Sequence, residues 1–211
     1  MRRPLIAAAA FLLGGTTAAA LSLGNGPHAQ PTASIVKRAA LAHGRTAVTE
    51  ASARDALAEG LILRPVTSIL AVPGRMQYGD YRWDDHGVAS GRTWVRVDLK
   101  SQLISVFRGT HEIGTAVILY GADGLATPTG TFPVLTKLRD HRSQTYDAPM
   151  PYTLRLTADG VSIHGSNVRW GYATHGCVGV PTAFAAKLFD AVSVGDDVLI
   201  VGDKKAKAQR A

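Results

Sequence analysis

The chain has one cysteine, Cys177, in 211 residues. A single thiol excludes an internal disulfide framework and every paired-cysteine zinc or redox motif. Histidines are present but not at HExxH spacing, and no G-x-S-x-G elbow surrounds any serine. No internal repeat is visible. The aromatic residues do not interleave with a basic run, so the platform that nucleic-acid binding uses is missing. Nothing in the interior of the sequence is a long apolar run. The formal charge of +7 stays positive without Arg2 and Arg3. It fits an anionic cell wall, a carboxylate-bearing peptide, or simply a basic surface.

What is present begins with the first thirty residues. Arg2 and Arg3 precede an Ala/Leu-rich stretch from Leu5 to Leu13. A small-residue A-x-A pattern then ends at Ala20. This reads as a secretory signal, with an uncleaved anchor reaching Leu23 as the alternative. Either reading puts the rest of the chain outside the cytoplasm, in the periplasm or cell envelope. The expected divisions are 1–23 signal or anchor, 24–75 linker and short helical region, 76–202 main domain, and 203–211 charged tail. Within 24–75, helices are expected over Ala33–Ala42 and Thr49–Ala58, each followed by glycine.

From Met76 onward strands and turns dominate. Alternation predicts strands at Trp94–Asp98, Leu103–Phe107, Ile113–Tyr120, Thr131–Leu138, Tyr152–Leu156, Val161–His164 and Asp197–Val201. Asp159-Gly160 marks a hairpin turn. Pro181 and Thr182 open a helix through Ala191, with Phe184, Leu188 and Val192 as a core stripe. Lys137–Ala148 is polar, and reads as an ordinary solvated loop or as a flap. The expected class is mainly β with some α, a sandwich or open barrel with one helix after the cysteine.

The stretch Val161–Pro181 (V-S-I-H-G-S-N-V-R-W-G-Y-A-T-H-G-C-V-G-V-P) carries the chemistry. A thiolate is the reactive form of cysteine and needs a base or cationic neighbour. His164 and His175 are the available imidazoles. His164, His175 and Cys177 also form a conceivable zinc set. The usual ligand spacings are absent, so no metal and no cofactor is expected. The remaining histidines have no partner motif and read as surface or structural.

His164-Gly165-Ser166 followed by Thr174-His175-Gly176-Cys177 resembles the L,D-transpeptidase (YkuD-type) catalytic domain. The Thr127–Pro133 run T-P-T-G-T-F-P and the Met150–Leu156 run M-P-Y-T-L-R-L resemble it too. The likeness spans about Trp94 to Val201. It implies the mixed β-sheet transpeptidase fold and a cysteine acyltransferase acting on peptidoglycan stem peptides. Cys177 would be the nucleophile and His164 the proton donor and acceptor. Gly165 would orient His164 through its backbone carbonyl, and His175 and Gly176 would line the oxyanion region. Thr174, Arg169, Tyr152 and Ser166 would contact substrate. An L,D-carboxypeptidase on the same substrate and a non-catalytic wall-binding protein remain alternatives. One departure stands out: the family commonly has Arg or Asn where this chain has Gly179. Arg169, Arg139 and Arg142 are candidates to replace that contact.

Overall fold

A computed structural model describes residues 44–122 and 124–202. The signal, the helix expected at Ala33–Ala42 and the charged tail lie outside those residues. Among the described residues, no helix is long and apolar enough to cross a membrane.

The described chain begins with a three-residue strand, β1 (Arg45–Ala47), and helix α1 (Glu50–Ala58). Thr49 caps α1, its hydroxyl accepting from the Ser52 N–H, as its side chain and extended backbone allow. Strands β2 (Ser68–Leu70), β3 (Tyr81–Trp83), β4 (Thr93–Asp98), β5 (Leu103–Arg108) and β6 (His111–Val117) follow. Then come β7 (Gly130–Pro133), β8 (Thr136–Arg142), β9 (Pro149–Arg155), β10 (Ser162–Ser166), β11 (Val178–Pro181), α2 (Thr182–Ala191) and β12 (Asp197–Val201).

Two sheets result. The larger has the order β1-β2-β6-β5-β4-β12-β7, with β3 also paired to β6. The smaller has the order β11-β10-β9-β8. One core joins them. Val95, Val97, Ile104, Val106, Ile113, Val198 and Ile200 from the larger sheet meet Leu154, Ile163, Val178 and Val180 from the smaller. Helix α2 enters the same core through Phe184 and Leu188, with Val192 just past its end, each at most 1% exposed. Burying a side chain of this size stabilises by about 1.5–3 kcal/mol. A second cluster lies around Trp94 and Phe107, whose rings stack at 4.2 Å, with Val66, Val48, Ile62 and Leu63 against them. With apolar neighbours on both faces, β4 is nearly buried throughout despite the apolar/polar alternation of its sequence.

Strands β3 and β11 were not expected, β9 begins at Pro149 rather than Tyr152, and four further differences shape the sheets. The segment expected as linker and helix also supplies β1 and β2, which extend the larger sheet. The strand expected over Thr131–Leu138 is two strands in two sheets. Pro133 has no N–H to continue the ladder. The Val134 N–H then donates to Asp196 O, and the Leu135 N–H donates to Arg155 O, so the chain crosses from one sheet to the other. The polar run beginning at Lys137 is not a loop through its first half: residues 137–142 belong to β8, which pairs with β9. In the third expected strand, β6 stops at Val117, and Leu119 leaves to pair with Gly179.

A cleft of about 1430 Å³ lies between α1, residues 71–78 and the outer face of the larger sheet. Neither Cys177 nor His164 lines it.

Candidate active site

Strands β10 and β11 run parallel, with Ile163 opposite Val178 and His164 opposite Gly179. Cys177 therefore enters this pair beside Ser162, about one strand spacing (~4.8 Å) from the strand that carries His164. The apolar residues of the two strands bury this junction, so the register is fixed by packing.

His164 is 9% exposed. Its Nδ1 lies 3.0 Å from the carbonyl oxygen of Gly165. A carbonyl only accepts, so Nδ1 carries the proton and Nε2 keeps its lone pair. Burial holds the imidazole below its usual pKa, partly offset by the Gly165 hydrogen bond, and the charge of His141 lowers it further. Cys177 is half-buried, and its Sγ–H donates to Gly160 O at 3.8 Å. Burial pushes the thiol up, and the Ser162 backbone N–H pulls it partly back. Both shifts favour the uncharged forms, thiol and imidazole, over a thiolate and an imidazolium.

The turn before Cys177 is pinned from two sides. Thr174 and Thr127 hydroxyls both donate to the Cys177 carbonyl, Thr127 at 3.4 Å. Thr127 Oγ1 in turn accepts from the Gly121 N–H at 2.9 Å. The Thr174 N–H donates to Tyr120 O, and Gly179 exchanges two hydrogen bonds with Leu119. Gly176 adopts φ +104°, the left-handed region that glycine enters without strain. A Cβ on Gly121 would stand 2.9 Å from the Gly176 nitrogen and 2.0 Å from Leu125 O. Only a glycine leaves that approach open.

The other expected site residues separate into distinct places. His175 is exposed, and its ring stacks on Tyr146 at 4.2 Å. Tyr146 sits at the tip of the β8–β9 hairpin, closed by Ser143 N–H to Ala148 O at 2.9 Å. That tip therefore touches the stretch that carries Cys177. Ser166 stands against Gly179: a Cβ at 179 would lie 3.0 Å from Ser166 Cβ. Tyr152 packs edge-on to Phe189 of α2. Arg169 is exposed and donates to Asn167 Oδ1 at 2.8 Å. Thr127, His141 and Tyr146 were not singled out as site residues from sequence. Thr127 was visible in the T-P-T-G-T-F-P run, whereas His141 had no motif. Among the described residues, no three His, Cys, Asp or Glu side chains converge as a metal site would need.

Against known proteins, a family model for the L,D-transpeptidase catalytic domain (YkuD) matches residues 92–200. L,D-transpeptidase 1 of Mycobacterium tuberculosis is 31% identical over 123 residues, covering 49% of this chain and 48% of that protein. The chain therefore spans about half the length of the curated relatives it matches. A crystal structure of an L,D-transpeptidase from Stackebrandtia nassauensis has a TM-score of 0.50 at 26% identity, covering 54% of this chain and 57% of that one. An L,D-transpeptidase from Mycobacterium smegmatis has a TM-score of 0.48 at 23% identity, covering 52% and 58%.

Proposed function

The chain belongs to the L,D-transpeptidase catalytic-domain family, and from that premise we propose that it transfers acyl groups between peptidoglycan stem peptides through a thioester on Cys177. The observation that carries this reading is the fixed tautomer of His164. Its Nδ1–H is committed to Gly165 O, which leaves Nε2 as a base on the strand beside Cys177.

In the proposed reaction Nε2 takes the thiol proton as Sγ attacks the donor carbonyl carbon. The oxyanion is met by the backbone N–H groups of Gly176 and Cys177, with His175 at the rim. The C–N bond then breaks, and His164 returns its proton to the leaving amine. An acceptor amine attacks the thioester carbonyl, loses a proton to His164, and the thiol is regenerated. Because both shifts favour the uncharged forms, proton transfer accompanies attack. The donor would be a tetrapeptide stem cleaved after its meso-diaminopimelate, in the cell envelope. Water as acceptor would make the same site an L,D-carboxypeptidase.

Intact-mass spectrometry of the purified protein with a disaccharide-tetrapeptide tests the reading, wild type against Cys177→Ala. An acyl adduct or cross-linked product absent from the variant supports it, and the product mass separates transfer from hydrolysis. A folded wild-type protein giving neither adduct nor product refutes it.

A further inference from the structure

The cleft on the outer face of the larger sheet takes no part in the chemistry above, and the strand registers describe its floor. Arg96 of β4 lies opposite Ser105 of β5, Ser105 opposite Thr115 of β6, and Thr115 opposite Arg82 of β3. All four line the cleft, while Val95, Val97, Ile104, Val106 and Ala116 between them belong to the core on the other face. A polar row with an arginine at each end thus crosses the floor. To one side of it lies an apolar patch of Phe107, Val66 and Ile62. To the other lies a patch of Leu103, Val117, Met76 and Tyr78.

The row is not satisfied from within. Thr115 is 4% exposed, and among the described residues its hydroxyl has no hydrogen-bond partner. Buried hydroxyls are nearly always paired. Arg96 is committed to Asp98 at 3.0 Å and to Leu61 O at 2.7 Å. Arg82 is exposed and has no ion pair among the described residues. Arg75 lines the cleft as well. The one acid among the described lining residues is Glu112, which lies opposite Phe107 in the first apolar patch and accepts from the Leu70 N–H at 2.7 Å. The cleft therefore has a surplus of positive charge, centred on an unpartnered hydroxyl.

Its size and spacing match a peptide. The volume of about 1430 Å³ exceeds the roughly 300–1,000 Å³ of a small-molecule pocket. Phe107, Ser105 and Leu103 stand two residues apart on β5, so apolar, polar and apolar points recur over about 13 Å. Same-face side chains of an extended pentapeptide have the same repeat. The wall formed by residues 71–78 includes the N–H groups of Val72, Gly74, Arg75 and Met76, which have no partner among the described residues. Peptide carbonyls can accept from such groups. The first 43 residues carry Arg2, Arg3, Lys37 and Arg38 and no Asp or Glu, so they do not supply an acidic occupant.

We propose that this cleft is a second binding site, for an extended segment of another protein in which an acidic side chain has an apolar one two residues to either side. The carboxylate accepts from the Arg82 guanidinium and the Thr115 hydroxyl, and the apolar side chains lie on the two patches.

Calorimetry on the full chain compares acetyl-LSESL-amide with acetyl-LSQSL-amide and acetyl-SSESS-amide. The first is expected to bind at least about tenfold more tightly than either of the others. R82Q and T115V are each expected to weaken the first about three- to tenfold and to leave the glutamine peptide within about twofold, and R82K to retain most of the preference. Trp170 lines the cleft with its ring edge-on to Tyr78, so the fluorescence change on binding is expected to be lost in W170F. Cys177→Ala is expected to bind as wild type does, since neither Cys177 nor His164 lines the cleft. No binding of the first peptide, equal binding of the acidic and glutamine peptides, or binding that is lost in Cys177→Ala overturns the proposal. The comparison of peptides on wild type depends on no variant folding.

Discussion

Replacing Gly179 by alanine tests how tightly the strand after Cys177 is packed. Gly179 is buried between β10 and Leu119, hydrogen-bonded to the latter through both backbone groups. A methyl at 179 would lie 3.0 Å from Ser166 Cβ, 3.3 Å from Ser166 Oγ and 3.5 Å from Leu119 Cβ. The last is ordinary contact, so the conflict is with Ser166. Its φ is not left-handed, so the penalty comes from crowding rather than backbone strain. Overpacking of this kind costs about 1–3 kcal/mol. At about 2–4 °C per kcal/mol for a domain of this size, the melting temperature should fall by several degrees. Ser166→Gly removes both close atoms, at a cost of about 0.5–1 kcal/mol for the strand glycine. In urea unfolding, the double variant should therefore be more stable than the sum of the singles predicts, by about 0.5–3 kcal/mol. Additive effects, or a Gly179→Ala protein within about 0.5 kcal/mol of wild type, would refute the packing argument.

Other expectations are independent of that one. His164→Asn should slow acylation of Cys177 by a donor at least about 100-fold, followed by mass spectrometry. Acylation by wild type should fall as pH drops through the lowered pKa of His164, while iodoacetamide labelling should keep rising past the pH where a free thiol levels off. Burial raises the Glu112 pKa, so its stabilising protonated form is present below about pH 4.5 and is lost as pH rises through the folded value. Glu112→Gln, which keeps an acceptor for the Leu70 N–H, should match wild type at pH 4 and be the more stable at pH 7 by chemical denaturation. Phe184→Ala should cost about 3–5 kcal/mol, because the ring is fully buried with Trp83 edge-on at 5.6 Å. Tyr146→Ala removes one ring stack of about 0.5–1.5 kcal/mol, seen as faster hydrogen exchange at residues 143–148.

The elements that were legible in the sequence carry strong local signals. The Asp159-Gly160 turn joins β9 to β10 as read, and the Phe184/Leu188/Val192 stripe is buried. Strand β12 matches its apolar run residue for residue. The elements that were not legible lack such signals. Strands β1 and β2 are three residues each, too short to display a period. Strand β8 is the edge of its sheet and reads T-K-L-R-D-H-R, polar on both faces, as an unpaired edge permits. His141 carries no signal for that reason. The handover at Pro133 turns on a missing N–H, which a hydrophobic pattern does not register. Gly179 is visible as an anomaly in the sequence, but its close neighbour across the parallel pair, the Ser166 side chain, is a tertiary contact.

Strand β12 lies between β4 and β7 in the interior of the larger sheet, parallel to the first and antiparallel to the second. It is the last strand in chain order among the described elements, so the sheet has a gap in its middle until the far end of the domain has been made. Contacts of such long sequence separation carry a large closure entropy and form slowly. Val198 and Ile200 belong to the same core as Val178 and Val180, the strand that follows the cysteine. A growing chain therefore cannot complete the core against which β11, the strand after Cys177, is packed until the last of these strands is inserted.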